Sequence, residues 1–264
     1  MTMAKRINLN ADLGESFGAW NMGADAAMLE IVTAANVACG FHAGDPLVME
    51  RTVAMAKRCG VSIGAHPSFP DLQGFGRRRM DIPPNELEAM LIYQIGALAA
   101  IARAQGVAVT HVKPHGALNN MACVDKALAD IVARAVHRLD PALILLAPAL
   151  SQLACAGRDI GLPVVEEVFA DRAYMDDGTL VPRSRPGATI HGAEACLAHV
   201  RRMLDAGAIV SAGGRFLPVP VQSICVHGDN ADAVATARAI RQGLESAGYE
   251  VVPLPALAAP PGTG

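Results

Sequence analysis

Short apolar runs that end in polar residues alternate along the chain with long stretches rich in Ala and Leu. The short runs predict β-strands and the long stretches predict helices, because buried parallel strands are short and apolar. The predicted strands lie near Arg6–Asn10, Asn36–Phe41, Val61–Ala65, Thr110–Lys113, Leu143–Ala147, Val164–Phe169 and Ser223–Val226, with an eighth short strand near Glu250–Pro253. The predicted helices span about Asp25–Ala35, Leu47–Cys59, Pro84–Gln105, Val124–Leu139, Ser151–Gly161, Gly192–Gly207 and Asp232–Gly248.

The repeated order of strand and helix predicts a parallel sheet, either closed into a barrel or doubly wound. A barrel is favoured because polar residues end nearly every strand and no GxGxxG turn follows the first one. We therefore predict an α/β fold, a TIM-barrel-like (β/α) barrel of about seven parallel strands. It would form one domain over residues 1–254, followed by a disordered tail over residues 255–264. Two long connections, Pro67–Ile82 and Asp171–Ile190, are candidate lids over the barrel mouth.

The composition fits such a barrel and argues against several other functions. Hydrophobic residues make up 52% of the chain and aromatic residues 4%, so the core must be aliphatic. The net charge of -3 provides no basic field for nucleic acid or for an anionic membrane surface. Residues 1–10 lack an apolar signal segment, and no uninterrupted apolar run approaches the roughly 18 residues of a membrane span. The six cysteines form no CxxC pair, which favours free thiols in a reducing compartment. We expect a soluble, cytoplasmic protein that binds neither nucleic acid nor membranes.

Polar side chains interrupt the first predicted strand at alternate positions. Asn8, Asn10 and Asp12 share one face of this strand, because successive side chains point to opposite sides. Inside a barrel, such groups must bond to each other or to a ligand. The pattern is compatible with a structural layer of bonded amides or with a ligand site, and Asp12 lies nearest the mouth.

The fourth predicted strand has the same alternation, with His111, Lys113 and His115 on one face. The HxxxH spacing suggests zinc, but on an extended strand the two rings would lie roughly 13 Å apart unless Pro114 turns the chain. Lysine is rarely placed in an apolar core strand without a function. Lys113 is therefore the strongest single candidate for substrate contact.

Further titratable residues follow other predicted strands and fill the two long connections. An imidazole beside a carboxylate suits general acid–base chemistry near neutral pH. The arginines of the Gly74–Arg79 loop form either an anion clamp or a solvated charged turn. The candidates at strand ends are His42, Asp45, His66, Glu167, His227 and Asp229, and those in the second connection include Arg172 and Arg183. The chain contains no GxxxxGK[ST] loop, no protein-kinase motif set and no GxSxG elbow.

Five longer motifs together resemble the LamB/YcsF family, and the similarity runs from about Ile7 to Leu254. They are NLNADLGESFG (Asn8–Gly18), CGFHAGDP (Cys39–Pro46), KPHGAL (Lys113–Leu118), EVFADR (Glu167–Arg172) and VHGD (Val226–Asp229). The resemblance implies a seven-stranded barrel related to the glycoside hydrolase/deacetylase group. It also implies the role of the A subunit in a prokaryotic 5-oxoprolinase. That enzyme opens 5-oxoproline to L-glutamate with ATP, and Mg²⁺ is expected with the nucleotide. The B and C subunits of 5-oxoprolinase would be the partners.

The resemblance gives the candidate residues provisional roles in that reaction. Lys113 or an arginine would bind the substrate carboxylate, and His115 or His227 would move protons. The set of Asp12, His42 and His66 would orient water or bind a metal. The substrate-binding candidates are Asn8, Asn10, Asp45, Glu167, Arg172, Arg183 and Asp229. Because the chain has no phosphate-binding loop, the partners would supply much of the ATP site, and the isolated chain should be inactive.

Two alternatives to the oxoprolinase role stay open. The first is a metal-dependent, deacetylase-like hydrolase in which Asp12, His42 and His66 are the metal ligands, an idea that rests on fold analogy. The second is a non-catalytic binding barrel. The density of titratable groups at the strand ends argues against the second alternative.

Overall fold

The computed structural model describes residues 5–227 and 232–258, and its strands and helices alternate as the polarity pattern predicts. The strands are β1 (Lys5–Leu13), β2 (Ala34–Ala38), β3 (Ser62–His66), β4 (Val109–Val112), β5 (Ile144–Pro148), β6 (Val164–Phe169), β7 (Ala208–Val210), β8 (Phe216–Pro218), β9 (Ser223–Val226) and β10 (Tyr249–Val251). The helices are α1 (Asp25–Leu29), α2 (Pro46–Cys59), α3 (Pro84–Ala104), α4 (Gly116–Ala122), α5 (Lys126–Leu139), α6 (Gln152–Asp159), α7 (Ala193–Ala206), α8 (Ala233–Ser246) and α9 (Pro255–Ala258).

Seven parallel strands close into a barrel in the order β1, β2, β3, β4, β5, β6 and β9, and β9 pairs with β1 to complete the ring. Closure removes the sheet edges, which would otherwise expose unpaired backbone groups. The eighth predicted strand, β10, pairs in parallel with the first residues of β1. The predicted (β/α) barrel is therefore confirmed.

The alternation along β1 sorts its side chains as the sequence predicts. Ile7, Leu9 and Ala11 belong to the main core between strands and helices, whereas Asn8 and Asn10 are buried on the opposite face, inside the barrel. A small apolar cluster fills another part of the interior, and its members are Ala34, Ile144, Leu146, Val165 and Leu254. The barrel is thus a packed structure with a polar layer that leads to its mouth.

One glycine makes room for the polar layer. Gly64 on β3 lies beside His111 on β4, and a Cβ atom at Gly64 would overlap the His111 ring. The bare backbone of Gly64 therefore lets the imidazole lie against the neighbouring strand. His111 Nε2 contacts Asn36 Oδ1 at 3.0 Å.

Some predicted elements are wrong in extent, and some short elements were not predicted. The first predicted helix was extended to Ala35, but α1 ends at Leu29 and Ala34 already belongs to β2. The missed elements are α4 and the antiparallel pair β7–β8. They are too short to give a clear period in the sequence. The tail predicted to be disordered from residue 255 begins with α9, and residues 259–264 lie outside the described chain.

Among the described residues, α3 is the one helix long and apolar enough to cross a membrane by length and composition. Its buried residues Leu87, Leu91, Ile95 and Leu98 recur at spacings of three and four, which is the pattern of a helix with one face on a protein core. It packs against α5 in the wall of the barrel. A single helix of this kind is weak support for a membrane span, and the cytoplasmic location stays a prediction.

Candidate functional site

A cavity of about 500 Å³ opens at the carboxyl ends of the barrel strands, where barrel enzymes build their sites. Residues at or just after strand ends contribute Asp12, Glu15, His66, Lys113, His115, Phe169 and His227. The two long connections predicted as lids contribute Phe75, Arg77, Arg172, Tyr174 and Arg183. The structure thus brings both connections to the mouth, together with most of the predicted catalytic residues.

Lys113 lies at the base of this cavity and is only 2% exposed. Its Nζ donates to Asp12 Oδ1 at 2.9 Å and lies 3.3 Å from Glu167 Oε2. It also contacts Asn10 Oδ1 at 3.4 Å and Cys225 Sγ at 3.1 Å. The ammonium group, with its three protons, is therefore already bound by protein groups.

The charges of this network stabilise each other. Burial alone would lower the pKa of Lys113, but Asp12, Cys225 and Glu167 raise it well above its ordinary value. Burial would raise the pKa of Asp12, but the charges of His66 and Lys113 hold it well below the usual range. Burial raises the pKa of Glu167, despite the opposing effect of Lys113. Asp12 is thus kept ionised beside a charged Lys113, which donates to this carboxylate.

A second cluster combines three imidazoles and one carboxylate: Glu15, His42, His66 and His115. The ring of His42 stacks on that of His115 with centroids 3.8 Å apart. His66 Nε2 lies 2.9 Å from His115 Nδ1. Glu15 Oε1 lies 3.6 Å from His115 Nδ1 and 3.4 Å from His42 Nε2. One ligand atom from each residue lies within 4.8 Å of the others.

Backbone carbonyls orient two of these rings. His66 Nδ1 donates to the carbonyl oxygen of Lys113 at 2.6 Å, and His115 Nε2 donates to the carbonyl oxygen of Phe75 at 2.8 Å. A carbonyl can only accept, so both of these nitrogens carry protons. The other nitrogens, His66 Nε2 and His115 Nδ1, face the cluster.

Burial is the largest cause of the pKa shifts of Glu15, His42 and His115. It lowers the pKa of His42 and of His115 well below the ordinary value, and the neighbouring imidazoles add to this effect. Burial also raises the pKa of Glu15. Imidazoles and a carboxylate are donors that suit a divalent transition metal. The chemistry of the donor set therefore fits a metal ion.

The first lid connection packs tightly on His115. Phe75 has a φ of 54°, which is uncommon for a residue with a side chain, and this turn directs its carbonyl group at the ring. Gly116 has a φ of +57°, and a Cβ atom there would lie 2.5 Å from the carbonyl oxygen of Gly76. The close approach of Gly76 and Gly116 therefore fixes the loop against the imidazole.

We predict that Gly116→Ala lowers the stability of the protein more than Gly18→Ala. Both glycines have similar left-handed backbone angles, but the space beside Gly18 is open. The backbone strain is common to the two variants, whereas the steric clash arises only at Gly116 and should add about 1–3 kcal/mol. Urea unfolding of both variants would measure the difference. Equal losses would show that the loop moves aside without cost.

Asp171 and His227 form a dyad, and His227 lines the cavity. Both carboxylate oxygens of Asp171 lie 2.8 Å from His227 Nδ1. Burial would lower the pKa of His227, but the charge and hydrogen bond of Asp171 raise it above its ordinary value. Nδ1 therefore carries a proton and His227 Nε2 is the basic nitrogen, as in a base oriented by a carboxylate.

Three arginines give the cavity a basic wall: Arg77, Arg172 and Arg183. Arg172 is buried and donates to the carbonyl oxygens of Val181 and Ala188. Its burial and the nearby charge of Arg183 lower its pKa. The paired-guanidinium clamp considered for the Gly74–Arg79 loop is not formed, because Arg78 Nε donates to Asp71 at 2.7 Å. Of the three arginines in that loop, Arg77 alone lines the cavity.

Several predicted site residues lie away from the cavity. Asn8 bonds to Thr33, Ser223 and the backbone of Val252, as in the structural alternative considered for β1. Asp45 caps the first turn of α2 through the backbone N–H groups of residues 47 and 48. His42, Asn10 and Glu167 are buried behind the residues that line the cavity. Asp229 lies outside the described residues.

Sequence reasoning missed Glu15, Asn36 and Asp171 as named site residues. Strict alternation places Glu15 on the face opposite Asp12, but the chain turns at Gly14, whose φ is 68°. Asn36 Nδ2 donates to Asp12 Oδ1 at 2.9 Å. A single polar residue among the apolar residues of β2 gave no signal of a site. Asp171 follows β6 by two residues, and its place in a strand-end motif was the available signal.

The closed barrel with titratable side chains at its mouth has the architecture of a (β/α)-barrel enzyme. Sequence comparison gives the family, and the chain belongs to the LamB/YcsF family, whose profile matches residues 7–259. A relative from Azoarcus sp. (strain BH72), named as the A subunit of 5-oxoprolinase, is 59% identical over 95% of this chain and 98% of its own. A protein of the same name from Bacillus subtilis (strain 168) is 52% identical over 93% of this chain and 96% of its own.

Solved structures agree with the family and the fold. The crystal structure of the lactam utilization protein from Thermus thermophilus superposes with a TM-score of 0.88 at 44% identity, over 94% of this chain and 99% of that one. The catalytic domain of a peptidoglycan N-acetylglucosamine deacetylase from Eubacterium rectale gives a TM-score of 0.53 at 14% identity, over 98% and 92% of the two chains. The second likeness shows the barrel fold alone. The resemblance noted in the sequence is confirmed.

Proposed function

We propose that this chain is the A subunit of a 5-oxoprolinase, which opens the ring of 5-oxoproline to L-glutamate at the expense of ATP. The relatives that match nearly the whole chain bear this name, and a lettered subunit implies further ones. The observation that carries the proposal is a cavity that combines a basic wall with an oriented imidazole base. An anionic lactam requires these two features.

The chemistry of a lactam explains the need for ATP. Transfer of the terminal phosphoryl group of ATP to the lactam oxygen releases ADP and makes the ring carbon electrophilic. Water adds to this carbon, and the C–N bond breaks as the ring nitrogen takes up a proton. The products are a free amine and an acyl phosphate on the side chain. A second water cleaves the acyl phosphate to glutamate and phosphate, so each ring consumes one ATP and two waters.

The residues of the cavity suit the steps that surround the ring carbon. Nε2 of His227 accepts a proton from the attacking water and returns it to the leaving nitrogen, while Asp171 stabilises the charged imidazole. Asp12, kept ionised by Lys113, accepts a hydrogen bond from the lactam N–H. Arg172 and Arg183 bind the substrate carboxylate, in place of the already paired Lys113.

The B and C subunits would complete the ATP site. The sequence has no phosphate-binding loop, and the arginines of the cavity wall can contact the transferred phosphoryl group. The cavity volume of about 500 Å³ lies within the usual range for small-molecule sites. It leaves room for a phosphoryl group beside the small ring.

We predict that Arg183→Ala raises the KM for 5-oxoproline about tenfold or more while kcat changes little. Loss of a charge-assisted hydrogen bond to the carboxylate weakens binding of the ground state and the transition state alike. Arg185→Ala is the matched control, because Arg185 lies in the same connection but does not line the cavity. Steady-state kinetics of the assembled complex would test this. A lower kcat at unchanged KM would assign Arg183 to the chemical step instead.

Co-expression of the chain with its two partner subunits tests the proposal as a whole. Glutamate should form from 5-oxoproline only with ATP and all subunits present, and the isolated chain should be inactive with or without ATP. Robust ATP-independent deacetylation of an N-acetylated sugar by the isolated chain would overturn the proposal and favour a deacetylase-like hydrolase. Glutamate formation by the pure chain would contradict the assignment of the ATP site to the partners.

A further inference from the structure

We propose that Glu15, His66 and His115 bind one divalent metal ion of the zinc type, with an open coordination position that faces the cavity. The three side chains lie at the ends of different barrel strands, and all three line the cavity. The proposal concerns this chain alone and does not depend on the oxoprolinase reaction.

The contact between His66 and His115 is one that a shared cation would stabilise. The outer nitrogens of both rings donate to backbone carbonyls, and the inner nitrogens face each other at 2.9 Å. Two lone pairs at this distance repel unless a proton or a metal ion is shared. Carboxylate oxygens of Asp12 and Glu15 add negative charge, at 3.4 Å from His66 Nε2 and 3.6 Å from His115 Nδ1.

The surroundings of the two rings are those of a metal site. Hydrogen bonds from the outer nitrogens to carbonyl groups are the usual second shell of metal-binding histidines. Two imidazoles and one glutamate with a free position are a known ligand set for catalytic zinc.

The distances fit a shared ion. Ligands about 2.0–2.1 Å from a tetrahedral zinc ion lie about 3.3 Å from each other. The measured separations of 2.9 Å and 3.6 Å lie on either side of this value. His42 does not line the cavity, and its ring stacks on His115. We therefore assign His42 to positioning of His115 rather than to the open coordination sphere.

The only other group of potential ligands among the described residues is Asp12, Cys225 and His227. The ammonium of Lys113 already lies 2.9 Å from Asp12 Oδ1 and 3.1 Å from Cys225 Sγ. A second cation there would be repelled by the first. The ligand set of Asp12, His42 and His66 suggested by fold analogy is less favourable for the same reason, because Lys113 neutralises Asp12.

Metal binding by the full chain would test the proposal directly. The chain is treated with a chelator and then titrated with Zn²⁺ or Co²⁺. Metal is counted by mass spectrometry, and the visible spectrum of the Co²⁺ form reports on its ligands. We expect one ion per chain, and bound metal should raise the Tm. His66→Ala and His115→Ala should each lose the ion, and Glu15→Gln should weaken binding about tenfold or more.

His137→Ala is the matched control, since His137 lies on α5 away from the cavity, and it should bind metal like the unchanged chain. Because an alanine in the cluster can unfold the barrel, circular dichroism of each metal-free variant is recorded, and the isosteric Glu15→Gln carries the test if the others fail to fold. Failure of the folded, unchanged chain to bind either ion would overturn the proposal and assign a shared proton to the two imidazoles. Neither result requires ATP or partner subunits, so the oxoprolinase proposal is judged separately.

Discussion

Lys113→Met is expected to abolish turnover by the assembled complex and to lower the free energy of unfolding by about 3–5 kcal/mol. The side chain is 2% exposed, and methionine keeps most of its volume. Loss of the ammonium group would leave Asp12 and Glu167 buried without their cation. Each carboxyl group would then have to take up a proton or carry an unpaired charge inside the protein. Urea unfolding and the ATP-dependent glutamate assay would measure the two effects. If Lys113 only faced a ligand, as predicted from the sequence, its replacement would leave the fold intact; the burial of Lys113 predicts a large loss of stability instead.

Two further variants separate the structural effect from the chemical one. Lys126→Met removes an exposed lysine that pairs with Asp130 on α5 and should change neither stability nor turnover noticeably. Adding Glu167→Gln to Lys113→Met removes one of the unpaired charges and should restore part of the lost stability without restoring activity. Wild-type stability in Lys113→Met alone would show that the ion network contributes nothing to the fold.

Asp171→Asn is expected to reduce kcat of the complex by about 10²- to 10⁴-fold, the usual contribution of an oriented general base. The asparagine no longer stabilises a charged His227, and burial then lowers the pKa of the ring. Since the base acts in its neutral form, the rate falls when the pH drops through the pKa of His227. This fall forms the acidic limb of the plot of kcat against pH. Loss of the Asp171 charge should therefore move the acidic limb to lower pH, while the maximum kcat falls.

The pH dependence of kcat distinguishes this mechanism from a general disturbance of the cavity. Asp205→Asn is the control, because Asp205 is exposed on α7 away from the site, and its profile should match that of the unchanged complex. A reduced kcat with an unmoved acidic limb would assign the limb to a group other than His227. An unchanged kcat would remove the dyad from the mechanism.

The fold could be predicted from the sequence because each strand of the barrel carries its own apolar run and polar end. The residue-level chemistry was less accessible, as His111 and His115 illustrate. The two histidines share a face of an ideal strand, but β4 ends at Val112. His115 then joins the mouth while His111 contacts Asn36 inside the barrel. Alternation holds only while the strand continues, and the sequence does not mark its end sharply.

Pairing between distant residues was the second gap. A row of arginines in the Gly74–Arg79 loop gives no sign that Asp71 binds Arg78, nor that Phe75 turns its carbonyl group toward His115. These contacts depend on a left-handed residue and on close backbone approach, which a single sequence without a known fold does not reveal. The sequence could thus predict which residue types lie at the site, but not which groups they bond to.

The apolar cluster inside the barrel bears on the route by which ligands enter and leave the site. Ile144, Leu146 and Leu254 form a buried apolar cluster inside the barrel, whereas the cavity opens at the carboxyl ends of the strands. Reactants and products would then share the entrance at these strand ends. A partner protein that reaches the substrate has to approach over the same opening. A docked partner would then block substrate entry and product release. The order of substrate binding, partner docking and product release would therefore depend on the shape of the barrel as well as on the binding affinities.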